Sequence, residues 1–292
     1  MKKLYYLILL LTPAMLIISC SEIQDNITPP LGLSLHNEGI NDPKSENFHG
    51  KLIKSLKWDL KNCQQCHARD YSGGTTGSSC LNCHKQSKGP EACNTCHGDF
   101  ADPVMVSPPR DLSGRITPES KGVGAHIEHM LGEGVGKPLS CNECHKVPLT
   151  LYEEGHLDES LPAEVIFGEL SRKNVRDSVI YDYVKLECSN TYCHGNFSFP
   201  KSKSSYPSMY SGDRMIGNNS KPVWNIVDGT YKKCNVCHGK SEADPSPIGH
   251  VASSISTCGV CHSDVVDRKG KIINSTKHIN GKINVFGLEI ER

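Results

Sequence analysis

The chain has 292 residues, enough for one large domain or two small ones, and its 32 basic and 32 acidic side chains cancel. Only 37% of residues are apolar and 6% aromatic, and 26 glycines and 17 prolines interrupt them. Side chains alone therefore bury too little apolar area to offset the entropy of ordering this backbone, which excludes a conventional core.

Residues 1–19 carry Lys2 and Lys3 and then an apolar run from Leu4 to Ile18, short for a bilayer span and suited to a signal peptide. The run ends Ile17-Ile18-Ser19-Cys20, which resembles a bacterial lipobox and makes Cys20 the expected lipid-bearing residue of a lipoprotein. Lipid chains on Cys20 would hold the protein on a membrane without spanning it. Ser21 stands where an Asp would favour inner-membrane retention, so an outer-membrane anchor, on its periplasmic or cell-surface face, is expected. Residues 20–48, with Pro29-Pro30 and many Asn, Asp and Ser, read as a polar tether. His36 lies in it and His49 just beyond.

Within residues 49–110 one pattern occurs three times: Cys63-Gln-Gln-Cys66-His67, Cys80-Leu-Asn-Cys83-His84 and Cys93-Asn-Thr-Cys96-His97. C-x-x-C-H is the spacing of c-type haem attachment. Two cysteines two residues apart can each form a thioether to a vinyl group of one porphyrin, and the adjacent His becomes the proximal iron ligand. Asp102-Pro103 and Ser107-Pro108-Pro109 disfavour regular structure and place a boundary near residue 111, after this three-haem segment.

Residues 111–292 read as a four-haem segment. His126 and His129 come first, three apart and on one face if helical. Cys141-Asn-Glu-Cys144-His145 follows, then a widened motif, Cys188-Ser-Asn-Thr-Tyr-Cys193-His194, whose extra residues can bulge out while Cys193 and His194 stay adjacent. Cys234-Asn-Val-Cys237-His238 and Cys258-Gly-Val-Cys261-His262 return to normal spacing. Disulfides would set no preference for the residue after each pair, and zinc ribbons need pairs grouped in twos. Here His follows the second cysteine in all seven pairs, and 15 cysteines divide into fourteen for haem and Cys20 for lipid. The expected fold is that of a multihaem cytochrome c: mostly irregular coil, with short helices at the motifs and around Leu161 to Val175, packed around seven covalently bound haems. Ser198 to Asn219, rich in Ser, Lys, Pro and Gly, reads as a surface loop.

The motif supplies one axial ligand, and the second decides whether an iron carries electrons or binds substrate. Of 14 histidines seven lie in motifs, leaving His36, His49, His126, His129, His156, His250 and His278, so bis-His ligation throughout is expected. Only His36 and His49 precede the first three haems, so one of His126 and His129 is expected to reach back across the boundary. Met105, Met130, Met209 and Met215 are rival ligands, Met130 foremost because it follows His129. No motif ends in Lys, as the catalytic haem of multihaem nitrite reductases would, and there is no phosphate loop or hydrolase triad.

Without residues 1–19 the chain has 30 basic and 32 acidic side chains. Each ferric bis-His haem adds about one negative charge, so the loaded protein carries about −9 oxidised and about −16 reduced, which excludes nucleic acid as a natural partner.

Asn47-Phe48-His49-Gly50, Asp70-Tyr71-Ser72-Gly73-Gly74, Gly124-Ala125-His126, Gly155-His156-Leu157-Asp158, Thr191-Tyr192-Cys193-His194-Gly195 and Lys277-His278-Ile279-Asn280-Gly281 run through the chain from residue 40 onward. In these features it resembles a multihaem cytochrome family of dissimilatory metal-reducing bacteria, named for its mixed C-x4-C-H and C-x-x-C-H motifs. The resemblance implies electron transport by exported outer-membrane lipoproteins toward extracellular acceptors, with other redox cytochromes and an outer-membrane porin as partners. It also implies distal-ligand roles for His49, His126, His156 and His278. The leading expectation is thus a seven-haem electron carrier and not an enzyme. The alternative is a terminal reductase with one open haem coordination site, and a structural subunit of an outer-membrane assembly is a third.

Overall fold

The computed structural model describes residues 35–102, 110–132, 134–158 and 162–291. The expected signal peptide, Cys20, the expected tether as far as residue 34 and Met105 lie outside them. No helix among the described residues is long and apolar enough to cross a membrane. The chain divides into two compact units, Met1–Asp59 and Leu60–Arg292.

In the first unit, two short turns from Gly39 to Ser45 lead into helix α1 (His49–Ser55). Both the backbone N–H and ring Nδ1 of His49 lie on the Ile40 carbonyl, at 2.8 and 3.0 Å, which ties the start of α1 to the preceding turn. The helix ends at Lys57 and Trp58, both left-handed, with Trp58 N–H returning to the Ile53 carbonyl.

Among its described residues the second unit contains five short α-helices, α2 (Lys61–His67), α3 (Cys93–Cys96), α4 (His126–Leu131), α5 (Cys234–Cys237) and α6 (Ile255–Cys261). Three antiparallel ribbons complete it: β1 (Ile180–Asp182) with β2 (Glu187–Ser189), β3 (Ser198–Pro200) with β4 (Arg214–Ile216), and β5 (Lys282–Val285) with β6 (Leu288–Glu291). Everything else described is turn or coil, in line with the few apolar residues available to order it.

The side-chain core is small: Leu170, Tyr192, Phe199, Tyr210 and Met215 form its buried centre. Two expectations fail here. Ser198 to Asn219 is not a surface loop, because β3 and β4 pair Phe199 with Met215 and turn both inward, while Tyr210 between them is also buried. The polar composition concealed a two-residue alternation too short to read. Residues 162–175 form turns instead of a helix. Their backbone donors are used across the chain: Ile166 N–H to the Cys144 carbonyl, Gly168 N–H to the Glu143 carbonyl and Ser171 N–H to the Glu143 carboxylate. This stretch thereby clamps the fourth Cys-His motif.

The division between units also falls earlier than the expected boundary near residue 111. Leu60 N–H donates to the Tyr152 hydroxyl at 3.0 Å and Lys88 Nζ to the Leu149 carbonyl at 2.8 Å, so residues on both sides of 111 pack as one body.

Candidate haem site

Each normally spaced motif occupies a single helical turn. The His N–H donates to the carbonyl of the first cysteine at 2.9 Å in Cys80–His84, Cys93–His97 and Cys141–His145, at 3.0 Å in Cys234–His238 and at 2.8 Å in Cys258–His262. One turn therefore presents two thiols and an imidazole to the same side. The first motif sits at the end of α2 in the same way.

The widened motif is built differently. Cys188 leaves from β2, where it pairs with Tyr181, whereas Cys193 and His194 lie on a separate turn capped by the Thr191 hydroxyl. The extra residues turn at Asn190, which is left-handed with φ 63°. Asn190 N–H donates to the Asn219 side chain at 3.1 Å, and the buried Asn196 amide donates to the Asn190 carbonyl at 3.0 Å while accepting from Arg176 Nε at 2.9 Å.

All fourteen described motif cysteines are free thiols. Burial pushes Cys144 and Cys237 up to about 11 and Cys188 and Cys193 up to about 12. Among the described residues no three His, Cys, Asp or Glu side chains gather into a metal site of their own.

The histidines gather in twos. His97 faces His156 with ring centroids 6.2 Å apart, His126 faces His145 at 6.3 Å, His129 faces His194 at 6.1 Å and His238 faces His278 at 6.3 Å. An imidazole nitrogen sits about 2 Å from a first-row metal ion and about 1.1 Å from its own ring centre, so two imidazoles trans on one ion have centres about 6.2 Å apart. Each pair joins one motif histidine to one spare histidine.

In six of these eight rings the Nδ1 nitrogen is already engaged. Nδ1 meets the carbonyl of Val123 in His126, Ala125 in His129, Glu164 in His145, Leu151 in His156, Pro245 in His238 and Val135 in His278, at 2.6 to 2.8 Å. An Nδ1–H donating to a carbonyl fixes the tautomer that leaves the Nε2 lone pair available, as at metal-ligating histidines. Burial lowers the pKa of His97, His129, His238 and His278, and brings His126 to about 4 and His194 to about 3. These rings are thus neutral, as iron coordination requires. Thiol pairs on single turns, with neutral imidazoles at trans-metal spacing, fit haem c.

Residues 187–238 match the family model described as Geobacter CxxxxCH...CXXCH motif. Over these residues the chain is similar to that family, whose motifs are of the haem c-binding type. No curated protein and no solved structure matches it. The matched segment holds the widened motif and the sixth motif, which lie against each other: Asn218 N–H donates to the Cys237 carbonyl at 2.9 Å and Ser220 N–H to the His194 carbonyl at 2.9 Å. A Cβ on Gly195, left-handed at φ +90°, would overlap the Cys237 carbonyl, so glycine permits that approach.

Three motif histidines stand outside these pairs. His67 Nδ1 lies 2.8 Å from the Ser78 carbonyl, His84 meets Phe100 edge-on, and His262 Nδ1 lies 2.6 Å from the Asn284 carbonyl. Burial lowers the pKa of His262, the Asn284 contact partly offsets this, and nearby His250 lowers it further. His250 itself sits where the chain bridges to Tyr210, with Nδ1 on the Val251 carbonyl at 2.6 Å. His36 is exposed in the first unit, which also holds His49.

One expected pairing is corrected. Neither His126 nor His129 reaches back to the first three motifs; His156 meets His97 instead. The α4 histidines are taken by His145 and His194, because Nδ1 bonds inside the helix start aim both rings into the later motifs. Met209 and Met215 pack in the core, which accounts for them without iron. Sequence reasoning also missed Trp224, which lies against both α4 histidines, and the carbonyls that hold each Nδ1. Its scarcity, as one of two tryptophans, was the available signal.

Proposed function

We propose that this chain is a seven-haem c-type cytochrome lipoprotein that carries electrons at the bacterial cell envelope toward extracellular acceptors. The observation that supports it best is the set of four histidine pairs at trans-metal spacing, each joining a motif histidine to a spare one. Two strong axial ligands leave an iron no position for substrate, which favours electron transfer over catalysis. His250 is the partner we assign to His262.

Within this reading the fourteen cysteines of the seven motifs tether the haems, the seven motif histidines are proximal ligands, and the spare histidines are distal ligands. Haem c supplies one-electron chemistry at its iron. The protein orients the imidazoles through their Nδ1 contacts and keeps neighbouring motifs close enough for electrons to pass between them. Lipid on Cys20 would anchor the chain at the outer membrane, beside redox cytochromes and a porin.

The intact mass of the mature protein tests this directly. The expected value is the chain from Cys20 with lipid and seven haems. A mass with six haems would remove the widened motif from the set, and a mass with none would end the proposal. Carbon monoxide separates the carrier from a terminal reductase: stoichiometric binding to the reduced protein at one site would favour the reductase.

A further inference from the structure

His126 and His129 belong to one short helix yet face different motif histidines, and a single side chain touches both. The indole of Trp224 meets His126 edge-on, at 4.7 Å and 89°, and lies nearly parallel to His129, at 5.8 Å and 22°. One plane therefore sets two imidazoles almost at right angles.

The indole is itself held on several sides. Its Nε1–H donates to the Lys121 carbonyl at 2.9 Å, and its backbone N–H donates to the Leu186 carbonyl just before β2, which carries Cys188. The neighbouring Asn225 side chain donates to the Glu119 carbonyl at 3.1 Å. Gly124, left-handed at φ +46°, opens the space: a Cβ there would overlap the indole ring. A backbone of this kind, with glycine where a large ring must approach, is shaped around the tryptophan.

The two histidine pairs differ in the same sense. The rings of His126 and His145 are 25° from parallel, whereas those of His129 and His194 are 78° apart. His97 and His156, at 29°, resemble the first; His238 and His278, at 79°, resemble the second. In a low-spin ferric bis-His haem, near-parallel imidazoles split the two iron d orbitals that accept ligand π density. Near-perpendicular imidazoles leave those orbitals almost degenerate. The electron paramagnetic resonance (EPR) spectrum is then a resolved rhombic one in the first case and a broad low-field feature at larger g in the second.

Resting on the reading that haems occupy these pairs, we infer that Trp224 is a positioning residue that fixes the ring planes of His126 and His129. It thereby makes the two haems they serve electronically unlike. Trp224 acts through the distal ligands, as outer-shell groups do at metal sites.

Low-temperature EPR of the oxidised full-length holoprotein tests this, with the haem count taken from the pyridine haemochromogen. The parent should show both signal classes. In Trp224→Ala the haem count and low-spin state should persist, while about one haem equivalent leaves each class as the two rings turn. Trp224→Phe, which keeps an aromatic face between the rings, should restore most of the parent line shape. Gly124→Ala, which pushes the indole aside without removing it, should reproduce the alanine spectrum, and it stands in if Trp224→Ala does not accumulate. An unchanged spectrum in either alanine variant overturns the inference, as does a parent with only one signal class. A parent without haem instead overturns the proposed function, so the two failures are distinguishable.

Discussion

His156 faces His97 with ring centres 6.2 Å apart and planes 29° from parallel, joining the third motif to a histidine beyond the fourth. Replacing His156 should open one iron. Reduced His156→Ala holoprotein is expected to bind one more carbon monoxide per chain than the parent, read from the Soret difference spectrum. An unchanged stoichiometry would assign His156 to structure only.

On the proposed function the widened motif would attach its haem from two separate elements, β2 and the turn at Tyr192–His194. In Cys188→Ala, Cys193 and His194 remain adjacent on their turn, so one thioether and the proximal ligand survive. The haem count should therefore hold at the parent value. The pyridine haemochromogen α band should shift slightly to the red, because one vinyl group stays unsaturated. Loss of a whole haem would show that Cys188 is needed for attachment itself.

Asn196 is fully buried and bonds Arg176 on one side and the Asn190 carbonyl on the other, holding the loop inside the widened motif. Asn196→Ala would leave the Asn190 carbonyl without this donor and take one acceptor from the exposed Arg176, whose Nη2 keeps the Gly217 carbonyl, at a cost of about 1 kcal/mol. Guanidinium chloride unfolding should show this as a lower midpoint with unchanged slope.

Asp111 accepts hydrogen bonds from the Ser120 hydroxyl at 2.7 Å, Arg115 Nε at 2.9 Å and the Ser113 and Arg115 amides. Burial by itself would raise its pKa, but these donors outweigh it and hold the carboxyl at about 2. Its folded-state value is below its unfolded one, so its contribution to stability is complete above about pH 4 and is lost as pH falls through about 2. Asp111→Asn should thus lower the melting temperature at pH 7, and the gap from the parent should narrow as the pH is taken toward 2. A gap independent of pH would mean that the charge of Asp111 does not matter.

Sequence alone determined the chemistry of attachment. A thiol pair and an adjacent imidazole lie within reach of one porphyrin whenever the local backbone makes a single helical turn, so Cys63–His67 through Cys258–His262 were legible as motifs without any fold. The scarcity of apolar residues likewise announced a small side-chain core. Local composition misled where short-range alternation was masked, at Phe199 and Met215, and where distant partners claimed the backbone donors of residues 162–175. Which spare histidine meets which motif was decided by tertiary structure alone. A distal ligand is bound to its motif by no spacing rule: His156 reaches His97 and His129 reaches His194 because packing brings the chain segments together and a backbone carbonyl on each distal Nδ1 turns its ring. The angle between paired rings lies further still from the sequence. It depends on contacts such as the Trp224 indole wedged between His126 and His129, made by residues far apart in the chain.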